Sequence, residues 1–366
     1  MIRLYGLLIL LFLASCGSED STDNSSMSDD GERENDLPAP AGLASAGGEV
    51  QKEETPPRFA VDVLDERGEG IFGFPPEIDT LFGGMSWSEG PLWLPKQQMI
   101  ICSDVPNNHI LSWREGEGKK VWLANSGIDG STDSPEPGSN GLILDSDGRL
   151  VACRHGSRQV ARLLSPLDDP IAEWEVLADN FRGRKLNSPN DLVYDSTGQL
   201  YFTDPPYGLA GQDDDPTKEM DFNGVYRIGQ SGDLELLTSD LRRPNGIALS
   251  PDGRTLYIAN SDAEEAIIIA YELDIGGQLS AISWTLDLTH RTTELPGLPD
   301  GLEVAQNGQI FATGPGGVWV IDPDGTPLVR LSTGYPISNV ELDAEEEYLY
   351  MTSDPYLVRA KLASRL

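Results

Sequence analysis

A short polar pattern recurs six times along this chain, at positions 39 to 55 residues apart. Most copies have a polar residue followed by glycine or another small or acidic residue, then an apolar strand, an acidic turn and a second strand. Repeats of roughly 40 to 50 residues built from short strands are typical of β-propeller blades. A β-sandwich would not place one polar residue at the same point of every repeat, so we predict an all-β, six-bladed β-propeller. The six polar residues are Glu89, Asn140, Asn190, Asn245, Asp300 and Asn339.

The propeller is predicted to occupy residues 58–366, where short strands alternate with turns and no long amphipathic helical pattern occurs. We expect the strand that closes the ring to come from residues 59–64 or from residues 78–82. Residues 16–57 are rich in Ser, Asp, Glu, Pro, Ala and Gly and have few large apolar side chains. Such a segment cannot bury enough surface to fold, so we expect a disordered acidic tether.

Residues 1–15 have the features of a signal peptide: a basic start followed by an apolar stretch too short to span a bilayer permanently. The stretch ends in Leu13-Ala14-Ser15-Cys16, which resembles the bacterial lipobox. That resemblance implies a lipid on Cys16, an exported lipoprotein at the outer membrane, and membrane contact through the anchor only. It leaves open which face of the outer membrane carries the protein. The alternatives are an ordinary signal peptide with a chance cysteine, or a buried helix.

Two further cysteines, Cys102 and Cys153, lie one position out of register when their strands are aligned. Successive side chains of a strand point to opposite faces of its sheet. We therefore expect two free, buried thiols and no disulfide between them.

The formal charge of −34 argues against a nucleic-acid partner, because phosphate binding needs a basic surface. Most of this acidity is interpreted as a solvated surface that keeps the protein soluble.

The innermost strand of each propeller blade lines the central channel, so a residue at one fixed repeat position forms a ring around the axis. The ring holds two carboxylates, Glu89 and Asp300, which would repel each other without a cation. Calcium accepts carboxylate and amide oxygens together, and the ring lacks the Cys and His ligands that zinc and copper prefer. We therefore predict one divalent cation, calcium first, with zinc, magnesium and manganese as alternatives.

The repeat openings resemble those of the gluconolactonase, regucalcin (senescence marker protein) and luciferin-regenerating-enzyme-like family, over about residues 77–366. The resemblance is carried by four openings in order together with a stretch similar to the bacterial gluconolactonase branch. They are Ser88-Glu89-Gly90-Pro91, Pro189-Asn190-Asp191, Pro244-Asn245-Gly246 and Pro299-Asp300-Gly301, with Phe202-Thr203-Asp204-Pro205-Pro206-Tyr207-Gly208.

This resemblance implies that Glu89, Asn190, Asn245 and Asp300 are metal ligands and that Asp300 is also the catalytic base or nucleophile. It implies hydrolysis of a sugar lactone or similar ester, with the metal polarising the carbonyl. The sequence leaves the choice between base and nucleophile open.

Four further residues are candidates for substrate contact: Asn140 in the ring, Arg154 and His155 after an inner strand, and Tyr207 in a loop. Each also has a simpler interpretation: backbone satisfaction for Asn140, a surface pair for Arg154 and His155, and packing for Tyr207. Backbone satisfaction is also an alternative for Asn339, whose repeat has Val340 in place of the usual Gly or Asp.

Two alternatives remain for the function. One is a phosphotriesterase-like hydrolase on the same metal cage, similar to diisopropyl fluorophosphatase. The other is a non-catalytic binding propeller on the cell surface. The sequence leaves the identity of the lactone and the oligomeric state open.

Overall fold

The computed structural model describes residues 57–130 and 132–363. The predicted signal peptide, the lipidation site Cys16 and nearly all of the predicted tether lie outside these residues. In the described part, six antiparallel sheets of at least four strands follow one another along the chain. Each sheet packs against the next and the last packs against the first, which makes a six-bladed β-propeller, as predicted.

The blades are numbered from the first ring residue, and their strands are given from the inside outwards. Blade 1 has strands Ser88–Leu94, Met99–Asp104, His109–Arg114 and Gly118–Ala124. Blade 2 has strands Ser139–Leu144, Leu150–Arg154, Gln159–Leu163 and Trp174–Ala178. Blade 3 has strands Leu192–Tyr194, Leu200–Asp204, Gly224–Ile228 and Leu234–Thr238.

The second half of the ring follows the same order. Blade 4 has strands Pro244–Leu249, Thr255–Asp262, Glu265–Leu273 and Leu279–Asp287. Blade 5 has strands Leu302–Val304, Ile310–Gly314, Gly317–Ile321 and Pro327–Ser332. Blade 6 has three strands from the C-terminal part of the chain, Asn339–Leu342, Tyr348–Ser353 and Tyr356–Lys361.

Both N-terminal strand candidates pair with the C-terminal blades, but in different places. Ile78–Phe82 is the outer strand of blade 6 and pairs with Tyr356–Lys361, so this segment closes the ring. Ala60–Val63 pairs with Pro327–Ser332 and becomes a fifth strand on blade 5. The sequence offered these segments as alternatives, whereas the structure uses both.

The connections contain little further regular structure. Within the described residues there is one extra hairpin and three short 3-10 helices, and no α-helix. The hairpin joins Asn180–Phe181 to Arg184–Lys185, and the 3-10 helices are Glu66–Gly68, Gln212–Asp214 and Thr289–Arg291. No helix in this part of the chain is long and apolar enough to cross a bilayer.

The core lies between the blades. In the described region, six clusters of buried apolar side chains fill the six seams between neighbouring blades. Because both faces of each sheet are covered, the inner strands are apolar on both faces. Ile100, Ile101 and Cys102, for example, are all fully buried. Continuous apolar runs of this kind bury the largest apolar area per residue.

The two cysteines lie in different seams, as their register predicts. Cys102 packs in the seam between blades 6 and 1, and Cys153 packs in the seam between blades 2 and 3. Both are free and fully buried in the described part of the chain, so the prediction of two unpaired thiols is confirmed. Burial raises the pKa of both thiols well above its ordinary value.

Candidate active site

Five of the six ring residues converge on one cavity at the end of the central channel. Glu89, Asn140, Asn190, Asn245 and Asp300 all line this cavity, whose volume is about 880 Å³. Glu89, Asn190 and Asn245 are only 3–4% exposed. Ligand sites of small-molecule enzymes typically have volumes of about 300 to 1,000 Å³.

Asn339, the ring residue of blade 6, is placed differently. It lines a separate cavity of about 100 Å³ deeper in the channel. Its Oδ1 accepts a hydrogen bond from the backbone N–H of Val340 at 2.8 Å, and its side chain also bonds the carboxyl of Asp191. Its side chain therefore makes hydrogen bonds inside the channel and does not line the main cavity. The blade 6 repeat departs from the others at Val340, and this is the same repeat in which the ring side chain lies outside the main cavity.

Hydrogen bonds between blades fix the backbone of the ring. Every seam is bridged next to a ring position, so the backbone at each of these positions is held by the neighbouring blade. The bonds run from Ser103 Oγ to Asn140 O (2.8 Å), Gly141 N to Asn190 O (2.8 Å), Thr203 Oγ1 to Asn245 O (2.6 Å), Gly246 N to Asp300 O (3.1 Å), Gly301 N to Ser338 O (2.7 Å) and Ser338 Oγ to Ser88 O (2.5 Å).

The glycine that follows most ring residues is explained by the same close approach. A Cβ atom added to Gly246 would lie 2.1 Å from the carbonyl oxygen of Asp300, and one added to Gly141 would lie 2.6 Å from that of Asn190. Both obstacles are backbone atoms of the next blade, which cannot rotate away. Glycine is therefore required because the blades approach each other there.

The cavity floor presents an oxygen donor set suited to a hard cation. Glu89 and Asp300 supply carboxylates, and Asn190 and Asn245 supply amide oxygens. Oδ1 of Asp300 is buried and has no hydrogen-bond partner among the described residues, and the same is true of Oδ1 of Asn140. Buried oxygens of this kind are costly unless a ligand satisfies them. Calcium takes carboxylate and amide oxygens together, so these residues fit a divalent cation.

The electrostatics of the floor also favour a cation. Burial raises the pKa of Asp300 well above its usual range, and the negative charges of Asp191 and Glu136 raise it further. Burial likewise raises the pKa of Glu89, with Asp300 as the largest charged contributor. A bound divalent charge would reverse this repulsion and hold both groups ionised. Across the residues described, no cluster of three or more His, Cys, Asp or Glu side chains has metal-binding geometry. A cation held here would therefore need the amide oxygens as well as the two carboxylates.

A second layer of acidic groups lies deeper in the channel. Asp191, Glu303 and Glu341 line the smaller cavity together with Asn339. Burial raises the pKa of Asp191 to about 7 and that of Glu303 to about 7. Burial and the charge of Glu303 raise the pKa of Glu341 well above its usual value. Of these carboxyls, Asp191 acts on the cavity floor, since its negative charge raises the pKa of both Glu89 and Asp300.

Tyr207 lines the cavity, as its candidate role requires. Its side chain bonds those of Ser261 and Asn245, and burial raises its pKa. The guanidinium of Arg243 lies 5.7 Å from the centre of the Tyr207 ring and also lines the cavity. Arg243 Nη2 contacts Asp213 at 2.8 Å, while its buried Nη1 has no hydrogen-bond partner in the described structure. A donor is therefore available on this wall.

Arg154 and His155 do not line the cavity. Arg154 is 4% exposed, donates from Nε to the carbonyl oxygen of Ser126 at 2.9 Å, and lies over the ring of Trp174. His155 is fully buried, with Nδ1 3.0 Å from Oε2 of Glu136. Glu136 does line the cavity, so the structure brings His155 to the site through this carboxylate.

Several cavity residues escaped the sequence analysis, among them Trp87, Glu136 and Arg243. Each of these three lies two to four residues before a ring residue, where the chain enters the inner strand from the cavity side. The indole N–H of Trp87 donates to Oε1 of Glu89 at 3.3 Å. Their position just before a repeat opening is the sequence feature that points to the cavity.

The comparisons with known proteins identify the family to which this chain is similar. Residues 87–354 match the family model described as the SMP-30/gluconolactonase/LRE-like region. The gluconolactonase of Zymomonas mobilis is 35% identical over 292 residues, which cover 78% of this chain and 81% of that protein.

Solved structures give the same result. A gluconolactonase from Xanthomonas campestris superposes with a TM-score of 0.68 and 30% identity, covering 87% of this chain and 99% of that one. A calcium-binding regucalcin from Agrobacterium tumefaciens superposes with a TM-score of 0.58 and 17% identity, covering 78% and 95%. This second likeness shows the fold alone.

Proposed function

The chain belongs to the SMP-30/gluconolactonase/LRE-like family, and we propose that it is a metal-dependent hydrolase that opens a sugar lactone. The observation that carries the proposal is the cavity floor, where two carboxylates and two amides converge and the buried Oδ1 of Asp300 is left without a partner. The Zymomonas mobilis and Xanthomonas campestris proteins are gluconolactonases by name, which supports the choice of substrate class.

Glu89, Asn190, Asn245 and Asp300 would hold the cation, with calcium favoured by the all-oxygen donor set. When bound, a divalent cation supplies a Lewis acid that polarises the lactone carbonyl and stabilises the developing negative charge. Trp87 orients Glu89 through its indole N–H. The backbone bonds between blades hold the backbones of Asn190, Asn245 and Asp300 in place before substrate arrives, which reduces the cost of assembling the site.

Asp300 carries the chemical step. Its buried carboxylate accepts a proton from the attacking water, or attacks the carbonyl itself. The amide of Asn140, whose Oδ1 is unpartnered, and the phenol of Tyr207 contact the substrate from the walls. The free Nη1 of Arg243 donates to a substrate oxygen. Arg154 and His155 act behind the wall, because neither lines the cavity.

We further propose that the protein is an exported lipoprotein anchored at the outer membrane through Cys16. The support is the Leu13-Ala14-Ser15-Cys16 sequence after a short apolar stretch. The acidic segment that follows would then hold the propeller away from the lipid.

The decisive experiment combines metal analysis with a lactonase assay. We expect the purified protein to contain about one divalent ion per chain, and D-glucono-1,5-lactone hydrolysis to disappear on chelation and return with calcium. Zinc, magnesium and manganese are tested in parallel. Asp300→Asn should stay folded, bind metal more weakly and lose at least about 100-fold in activity, the scale of a lost general base.

Asp147→Asn is the matched control, because Asp147 is an exposed residue in the turn that follows the strand Ser139–Leu144, at the end away from the ring. It should retain parental activity. Lactone hydrolysis by Asp300→Asn at the parental rate, with metal still bound, would contradict the catalytic assignment.

A further inference from the structure

Glu136 is a cavity carboxylate outside the ring. It lies in the connection between the last strand of blade 1, Gly118–Ala124, and the first strand of blade 2, Ser139–Leu144. Its side chain is 28% exposed, and its charge acts on both Glu89 and Asp300. The proposed mechanism assigns it no role.

His155 holds this carboxylate. Its Nδ1 lies 3.0 Å from Oε2 of Glu136, and its Nε2 is buried with no hydrogen-bond partner among the described residues. A buried N–H without an acceptor costs more than a buried lone pair without a donor. The arrangement therefore favours the proton on Nδ1, which donates to Oε2 and leaves Oε1 of Glu136 available to a ligand.

The segment that carries Glu136 is fastened to blades 2 and 3. The backbone N–H of Glu136 donates to Ser134 Oγ at 3.1 Å, and that hydroxyl donates to the carbonyl oxygen of Gly208 at 2.6 Å. Arg154 holds the base of the segment through its bond to Ser126 O. Gly208 packs so closely on His155 that an added Cβ would lie 2.9 Å from the Cβ of His155. Glu136 is thus preorganised.

An oriented carboxylate with one free oxygen accepts hydrogen bonds from hydroxyl groups. The same cavity offers a complementary donor in Nη1 of Arg243. A ligand that carries several hydroxyls beside its reacting carbonyl can satisfy both groups, whereas an unsubstituted lactone ring leaves both unpaired. Sites that hydrogen-bond a substrate hydroxyl reject analogues that lack it.

We propose that Glu136, oriented by His155, is a specificity-determining residue that selects lactones bearing ring hydroxyls over lactones without them. The inference rests on the proposed function, since it names the substrate feature that the same cavity recognises. Glu136 is the contact residue, and His155 is a positioning residue.

The test compares Glu136→Gln with the parent on D-glucono-1,5-lactone and on δ-valerolactone, which has the same ring without hydroxyls. A hydrogen bond to a charged group contributes about 1.5 to 3 kcal/mol, or roughly 10- to 150-fold. We expect kcat/KM for the hydroxylated substrate to fall by that factor, mainly through KM. For δ-valerolactone it should change by less than about twofold, and Glu175→Gln, an exposed control, should leave both unchanged.

His155 is tested with two variants. His155→Asn places an amide N–H near the position of Nδ1 and should keep the preference for the hydroxylated lactone. His155→Ala should lose most of that preference while still hydrolysing δ-valerolactone. A role in folding alone would lower both substrates together and would not be rescued by asparagine.

Binding of 1,5-anhydro-D-glucitol separates this inference from the proposed function, because this compound has the ring and hydroxyls but no carbonyl. Weaker binding by Glu136→Gln than by the parent supports the inference even if the parent hydrolyses no lactone, which would sink the proposed function alone. The inference is overturned if Glu136→Gln loses equally on both lactones, or if its selectivity and its anhydroglucitol binding are unchanged. As long as the parent hydrolyses lactones, either outcome leaves the proposed function standing.

Discussion

Glu303 offers a stability test of the channel's second acidic layer. Burial raises its pKa from 4.5 to about 7, so between these values the folded protein keeps a proton that the unfolded chain has lost. The folded state therefore binds more protons in this window, and the free energy of unfolding must fall as the pH rises through it. Each pKa unit corresponds to about 1.4 kcal/mol, so the whole shift destabilises the protein by about 3 kcal/mol above pH 7.

Glu303→Gln removes this penalty. Glutamine keeps the acceptor for the backbone N–H of Val304 but cannot ionise. Relative to the parent, we expect the variant to gain up to about 3 kcal/mol in unfolding free energy between pH 4.5 and pH 8. Part of this gain will be shared with Glu341, because the charge of Glu303 also raises the pKa of that residue.

The assay is urea unfolding at pH 4.5, 6, 7 and 8 in the presence of a chelator, so that a cation in the cavity does not alter the channel potential. Stability differences are taken from the midpoints at constant slope. Glu173→Gln, an exposed control, should run parallel to the parent. If Glu303→Gln also runs parallel to the parent across this range, Glu303 does not titrate in a buried setting and the reasoning is refuted.

Three further predictions address the ring and the anchor. Gly246→Ala should destabilise the fold by several kcal/mol, because its Cβ would lie 2.1 Å from the carbonyl oxygen of Asp300; Gly73→Ala, which meets only a carbonyl oxygen at 3.8 Å, should not, and equal unfolding midpoints would refute the explanation of the glycine. Asn245→Asp should keep or tighten metal binding, measured by calorimetry, yet lower turnover, because added negative charge weakens the pull on the carbonyl; faster turnover would contradict this. Cys16→Ser should move the protein out of the membrane fraction or stall its processing, and normal membrane retention would exclude the lipoprotein hypothesis.

The sequence predicted the propeller and the five ring positions of the main cavity because both follow from periodicity. A residue at one repeat position must lie at one radius from the axis, whatever the loops do. For Asn339 the departure at Val340 already indicated a backbone-satisfying role, because register determines where a backbone lies but not where its side chain turns. A bond to the neighbouring Val340 N–H and one to Asp191 determine that.

The wall of the cavity was less predictable, because loops of unequal length build it. The position of His155 after an inner strand predicts a substrate contact, whereas the structure puts Glu136 between it and the cavity. Nineteen residues separate the two in the sequence, and no repeat relates them. The acidic second layer was hidden for another reason: Glu303 and Glu341 look like the solvated alternate residues of a strand until the channel is closed around them.

The two buried thiols of the described propeller, Cys102 and Cys153, can report when the blades on either side of them separate. Cys102 lies in the seam beside blade 6, the blade that the pairing of Ile78–Phe82 with Tyr356–Lys361 completes, while Cys153 lies in a seam between two blades made of continuous chain. A thiol reagent reaches either sulfur only when its own seam parts. The labelling rates of the two cysteines under native conditions therefore compare directly the closure of the ring with an ordinary contact between blades, without any probe being introduced.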